Sequence, residues 1–176
     1  MIAPPLETER LLLRPHRKDD FDACCAMWAD PEVTRHITGR ASTPQQTWSR
    51  ILSYLGHWEL MNFGYWAIEE KSSGQFVGEG GFADFKRDLP DELRLGPEIG
   101  FALVSRAHGK GYGTELVREL LAWGDEHLPG KTTMCLVSPA NSASLRIVQK
   151  AGFGVVDDRV FNDLPTLFLW RTRPSQ

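Results

Sequence analysis

The segment Arg106-Ala107-His108-Gly109-Lys110-Gly111-Tyr112-Gly113-Thr114 places glycines at alternate positions. Before it, Glu98-Ile99-Gly100-Phe101-Ala102-Leu103-Val104 reads as a strand. After it, Thr114 to Leu128 carries Leu116, Val117, Leu120, Leu121 and Leu128 along one face of a helix. A strand-to-helix turn built on glycine can aim several backbone N–H groups at one concave point, because no Cβ blocks approach. The helix adds its unpaired first N–H groups and its positive dipole end. Together these suit a phosphate or pyrophosphate. A Walker-type loop needs Ser or Thr after Gly-Lys, and Gly111 stands there. A dinucleotide fingerprint needs glycine where Thr114 stands. Alternating glycines after a strand that opens on an acid suggest coenzyme A instead; the bland alternative is a turn that only redirects the chain.

Composition narrows the class. With 176 residues, we expect a single domain over residues 1–176. Hydrophobic residues make up 41% and charged residues 24%, the profile of a globular chain rather than a disordered or fibrous one. Twenty basic against 23 acidic residues give a net charge of -3, so no basic field exists to attract nucleic acid. No apolar run approaches a membrane span, and the opening MIAPPLETERLLLRP lacks the pattern of a signal peptide. Cys24, Cys25 and Cys135 form neither a CxxC pair nor a metal spacing, so free thiols, no metal and a cytoplasmic location are expected.

The remaining elements follow from local pattern. Glu9 to Arg14 reads as a strand. A helix opens at Asp19-Asp20 and ends near Asp30-Pro31. Thr43, Pro44 and Gln46 form a capping-box start for a second helix, whose stripe Trp48, Ile51, Leu52 and Leu55 is the expected core face. Tyr65–Glu70 and Gln75–Phe82 flank the turn Lys71-Ser72-Ser73-Gly74 as a hairpin. Residues 83–97 read as a polar loop. Thr132–Val137 is a strand, Ser142–Ala151 a helix, and Val155–Phe161 and Thr166–Arg171 closing strands. The order is β-αα-βββ-α-β-α-ββ, a mixed α/β (α+β) domain.

These residues carry a resemblance. Arg106-x-x-Gly109-x-Gly111 resembles the Arg/Gln-x-x-Gly-x-Gly/Ala signature of the GNAT superfamily of N-acetyltransferases. Leu6 to Pro15, Glu98-Ile99-Gly100-Phe101, and Asn141-Ser142-Ala143-Ser144 through Lys150-Ala151-Gly152-Phe153 are similar to its ribosomal-protein alanine N-acetyltransferase (RimJ/RimL-like) branch. The resemblance implies a splayed, mostly antiparallel mixed sheet flanked by helices. It implies acetyl-CoA as cosubstrate in the gap between strands 98–104 and 132–137. The backbone of Phe101, Ala102, Leu103 and Val104 would meet pantetheine. Arg106, His108, Gly109, Lys110, Gly111, Tyr112, Gly113 and Thr114 would hold the pyrophosphate.

The resemblance implies two catalytic residues, Glu98 and Ser144. By it Glu98 is the general base, directly or through water, with pairing to Arg94 or a backbone N–H as its structural alternative; Glu79 is the second acid candidate. A base matters because a lysine-like ammonium is neutral in only about 1 in 2,500 molecules at pH 7, against roughly one tenth for an α-amine. Asn141 fits an N-cap, and the resemblance adds a hydrogen bond to pantetheine. Ser144, by the same resemblance, faces the CoA sulfur and assists the leaving thiolate. The expected reaction is direct acetyl transfer to a primary amine, either a small molecule or a protein N-terminus. A non-catalytic acyl-CoA sensor is the alternative. The N-terminal helices and residues 83–97 should set acceptor specificity, and the chain should act as a monomer or homodimer.

Overall fold

A computed structural model describes residues 2–94 and 96–173. Strands β1 (Leu6–Glu7) and β2 (Leu11–Arg14) precede helices α1 (Phe21–Ala29), α2 (Pro31–Thr34) and α3 (Pro44–Met61). Strands β3 (Tyr65–Glu70), β4 (Gln75–Ala83) and β5 (Glu98–Leu103) follow as a meander. Helix α4 (Tyr112–His127), β6 (Thr132–Val137), α5 (Ser142–Lys150), β7 (Gly154–Phe161) and β8 (Leu164–Thr172) complete the chain. One eight-stranded sheet has the order β1-β2-β3-β4-β5-β6-β8-β7, and β5/β6 is its parallel pair. This is the expected mixed fold, with α2 added, the first strand running Leu11–Arg14 rather than from Glu9, and a short β1 split off before it.

The split has a local cause. Thr8 Oγ1 accepts from the Leu11 amide at 2.9 Å, and the Thr8 amide donates to the Leu11 carbonyl at 2.9 Å, so the chain folds back at residues 8–11. The turn also reaches the first turn of α4. Glu115 accepts from the Thr8 hydroxyl at 2.5 Å, the Arg10 amide at 2.8 Å and Arg10 Nε at 2.7 Å. Arg10 Nη1 donates to the Lys110 carbonyl at 2.8 Å. The glycine turn is thereby fixed to the sheet's first hairpin.

Helix α3 starts at the expected box, Thr43 and Gln46 each accepting from the other's amide. Its buried face shares only Ile51 with the expected one. Trp48, Leu52 and Leu55 are 36%, 49% and 42% exposed, while Thr47, Ile51, Tyr54 and Trp58 are buried. The two stripes are equally helical in spacing; the second carries polar handles the sheet can satisfy. Tyr54 donates to Glu79 at 2.6 Å, and Trp58 Nε1 donates to the Tyr65 carbonyl at 3.0 Å. Trp58, Trp66 and Trp123 then meet edge to face, with centroids 4.6 to 5.6 Å apart, under Leu116 and Leu120 of α4. Residues 84–97 are less polar in effect than in composition. Leu89 and Leu93 are buried with Met134 and Phe168.

Buried charge ties the N-terminal segment down. Arg14 forks both oxygens of Asp20 at 2.8 and 2.6 Å and donates Nε to Glu69 at 2.6 Å. Burial pushes the Asp20 carboxyl up, but the Arg14 fork and the Arg17 amide outweigh it, leaving Asp20 below the ordinary carboxylate range. Glu115 is lowered in the same way, burial being overcome by Thr8 and Arg10. A carboxyl lowered in the folded state adds stability above its unfolded pKa, and that stability is lost as pH falls through the folded value. Thermal unfolding midpoints should therefore hold near neutrality and drop below about pH 4. Asp20→Asn should be less stable than wild type at neutral pH and lose less between neutrality and about pH 3; an equal acid response in both proteins would contradict this.

Candidate active site

Strands β5 and β6 share one register pair, Glu98 opposite Met134, closed by a 3.0 Å bond from the Met134 amide to the Pro97 carbonyl. The other edge of β5 stays paired with β4 from Glu98 to Leu103. Its edge facing β6 is therefore free beyond Glu98. Two adjoining cavities lie along this gap and share His36, Ile37, Phe101, Ala102, Asn141 and Ser144 as common wall.

The turn-side cavity has a volume of about 500 Å³. Its wall includes Leu103, Ala107, His108, Gly109, Gly111, Tyr112, Gly113 and Thr114, with Arg146 and Lys150 one turn apart on α5. Gly109 and Gly111 take left-handed backbones, φ +74 and +82, and Gly111 is the N-cap of α4. Only glycine enters that region at little cost. Among the described residues the amides of Gly109, Lys110 and Gly111 have no protein acceptor. Gly113 lets the helices close: a Cβ there would stand 2.8 Å from Ile147 of α5.

Most of the sequence-predicted cofactor residues meet on this wall, and three do not. Arg106 Nη2 turns to the β3–β4 hairpin, donating to the Phe76 carbonyl at 2.7 Å and Gln75 Oε1 at 3.2 Å. Lys110 offers its carbonyl to Arg10. The Val104 amide is committed to the Val77 carbonyl at 3.0 Å. His108 is exposed, with Nε2 2.9 Å from the Leu103 carbonyl. Asn141 Oδ1 accepts from the Ser144 amide at 3.1 Å, which caps α5 and leaves the Asn141 NH₂ free to donate.

The inner chamber, about 210 Å³, lies on the other side of the shared wall. Trp28, Arg50, Tyr54, Tyr65 and Glu79 line it, as do Phe161, Asn162, Leu164, Pro165 and Thr166 of the β7–β8 hairpin. Glu98 also lines it, forked by Arg87 at 2.6 and 2.9 Å. The partner is thus Arg87, not Arg94, which pairs with Asp91. Burial pulls the Arg87 guanidinium down, but the Glu98 fork more than restores it. Arg87 also lies over Phe85 and Phe161, at 4.8 and 5.4 Å. Gly100 of the Glu98-Ile99-Gly100-Phe101 run has a steric reason: a Cβ there would stand 2.1 Å from the Tyr65 hydroxyl.

Glu79 is 1% exposed. Its Oε1 accepts from Tyr54 at 2.6 Å and Trp28 Nε1 at 3.0 Å, and its Oε2 has the Cys24 thiol at 3.8 Å and His16 Nε2 at 3.5 Å. His16, Cys24 and Glu79 offer three ligand-type atoms within 4.8 Å of one another, the group among the described residues that could hold a metal ion. Metal binding would need the Cys24 thiolate, and burial followed by the Glu79 charge drives that thiol strongly up. The trio reads as a buried polar cluster around Glu79, in which His16 makes no hydrogen bond. Sequence reasoning missed Arg50, Tyr65 and Arg87. Their only signals were an arginine four residues before Tyr54 on α3, and basic residues in the segment after β4.

The model of the acetyltransferase (GNAT) domain family matches residues 10–154. The chain is 28% identical over 149 residues to the N-acetyltransferase p20 of Bacillus licheniformis, covering 84% of this chain and 81% of that one. It superposes on a GnaT-family acetyltransferase from Bordetella pertussis with TM-score 0.84 and 29% identity, over 97% and 100% of the two chains. It shares its fold with the ribosomal L7/L12 α-N-protein acetyltransferase RimL solved with coenzyme A, TM-score 0.77 at 12% identity, over 96% and 98%. The chain belongs to the GNAT acetyltransferase family and is an acyltransferase enzyme.

The positive φ at Gly111 and the Arg10 Nη2 group, 3.3 Å from where a Cβ would stand, make Gly111→Val doubly unfavourable. Calorimetry should show coenzyme A affinity down at least about tenfold, with the far-ultraviolet spectrum retained. Unchanged affinity would remove this turn from the cofactor site.

Proposed function

We propose that the enzyme moves the acetyl group of acetyl-CoA directly to a primary amine within a ternary complex. The observation that carries this reading is the pair of cavities meeting at Phe101, Ala102, Asn141 and Ser144 in the gap between β5 and β6. One end suits a polyphosphate and the other a small amine, so the thioester would sit at their junction.

On the cofactor side, the amides of Gly109 to Gly111 and the start of α4 would receive the pyrophosphate. Arg146 and Lys150 add positive charge along the same wall. With the Val104 amide turned to β4, alternation turns the Phe101 and Leu103 amides to the gap, where pantetheine can pair as an added strand. The Asn141 NH₂ is placed to hold the same arm, and the Ser144 hydroxyl to meet the sulfur.

Direct transfer fits the thiols. Cys24 and Cys135 are pushed far up by burial, so neither supplies a thiolate for an acyl-enzyme. In the proposed step the neutral amine attacks the thioester carbonyl, the C–S bond breaks, and CoA leaves as thiolate with Ser144 donating a hydrogen bond. The amine's proton passes to Glu98. Arg87 occupies two of the roughly four acceptor positions on that carboxylate, fixing its orientation and leaving the others for an ammonium or a water.

The first test is thiol release from acetyl-CoA across a panel of amines; release no faster than in buffer with every amine would overturn the proposal. On an accepted amine, Glu98→Gln should cost about 10²–10⁴ in rate at neutral pH. The deficit should narrow as pH rises, because more acceptor arrives already neutral. A constant ratio to wild type from about pH 6 to 9.5 would exclude Glu98 from proton transfer. Ser144→Ala should lower kcat more than it raises KM for acetyl-CoA, because its bond strengthens as charge develops on sulfur. A normal kcat with a raised KM would mark simple binding instead.

A further inference from the structure

The inner chamber holds an arginine that no described residue meets with an ion pair. Arg50 projects from α3 with its guanidinium carbon 3.8 Å over the Trp28 ring. Its Nε is buried with no hydrogen-bond partner, and among the described residues it forms no ion pair. An arginine whose face rests on an indole keeps its planar edge for a second, in-plane partner. The other arginine of the chamber, Arg87, already spends that edge on Glu98. Arg50 does not.

Close by stands an anion without a paired lysine or arginine. The same Trp28 that carries Arg50 on its face donates Nε1 to Glu79 at 3.0 Å. Tyr54, one turn beyond Arg50 on α3, donates to Glu79 at 2.6 Å. With the Cys24 thiol at 3.8 Å and His16 Nε2 at 3.5 Å on its other oxygen, this buried carboxylate is surrounded, and the open acceptor positions of the chamber are those that Arg87 leaves on Glu98. Arg50 and Glu98 both line the chamber. Opposite charges on one chamber wall complement a molecule that carries both an amine and a carboxylate.

We propose that the acceptor is an amine that also bears a carboxylate, of amino-acid type. Its carboxylate would lie in the plane of the Arg50 guanidinium, and its ammonium would face the acceptor positions that Arg87 leaves open on Glu98. Such charge-assisted, bidentate pairs are the strong members of their class. A volume of about 210 Å³ suits an acceptor of amino-acid size. A polyamine or aminoglycoside would place a second cation against Arg50 and be repelled. The inference rests on the acyl-transfer reading for its location, but its chemistry is a binding claim that can be measured apart from turnover.

The experiment uses matched pairs: alanine against alaninamide, and methionine against methioninamide. A peptide beginning with Asp is set against the same peptide beginning with Asn. Each is measured twice: by thiol release from acetyl-CoA, and by calorimetric binding to the enzyme already holding CoA. The wild type should favour the carboxylate member by on the order of 10- to 100-fold. Arg50→Met should erase that preference, and Arg50→Lys should keep part of it, in proteins whose unfolding midpoints match the wild type. A preference confined to free amino acids names a small-molecule source; one shared by the Asp-led peptide names a polypeptide N-terminus. Amides accepted as well as acids, or a preference that survives Arg50→Met, would overturn the inference while thiol release upheld the transfer. A carboxylate preference in binding that falls with Arg50→Met, with no thiol release from any amine, would do the reverse.

Discussion

Strand β5 belongs fully to β4 and only at its first residue to β6, where Glu98 faces Met134. A strand edge left unpaired inside a sheet normally costs the chain the hydrogen bonds of that ladder. Here the loss is confined to a few residues, because β6 finds a complete antiparallel partner in β8 from Thr132 to Val137. The sheet is continuous at one end and parted at the other. The glycine turn, the capped start of α5 and the inner chamber all lie along that parting. Without it the protein would be a closed sheet with no room for a substrate.

The geometry of the parting is held by polar contacts from outside as well as by the core that packs on both its sides. Glu115 in the first turn of α4 gathers Thr8 and Arg10 from the first hairpin, and Arg10 reaches on to the Lys110 carbonyl. The turn that would meet the pyrophosphate is thus positioned by residues about a hundred positions earlier in the chain. In the chamber, Arg87 plays the same part for Glu98. Both arrangements place a charged group at a fixed point before any ligand arrives, which is the condition for useful preorganisation.

What could be read from the sequence was what is local. The turn at 106–114, the Thr43 and Asn141 caps, and the hairpin around Lys71 to Gly74 each depend on residues within a few positions. The buried face of α3 did not, because Trp48, Leu52 and Leu55 offer as good a stripe as Ile51, Tyr54 and Trp58. The choice was made by Glu79 and the Tyr65 carbonyl, which satisfy the Tyr54 and Trp58 donors from across the sheet. The partner of Glu98 was hidden for a like reason. Arg94 is nearer in sequence, but the loop brings Arg87 over Phe85 and Phe161 to the carboxylate and leaves Arg94 beside Asp91. The opening strand was visible, but the use of Thr8 and Arg10 to grip α4 was not.

In the proposed complex coenzyme A occupies the parting, its pyrophosphate on the glycine turn and its pantetheine along the free edge of β5. Amide hydrogen exchange with and without coenzyme A tests this at the level of single backbone groups. Exchange should slow at Phe101, Leu103 and Gly109 to Gly111 when the ligand is bound, with little change in β1 to β3. Unaltered exchange in both segments at saturating coenzyme A, or slowing confined to strands away from the gap, would contradict it.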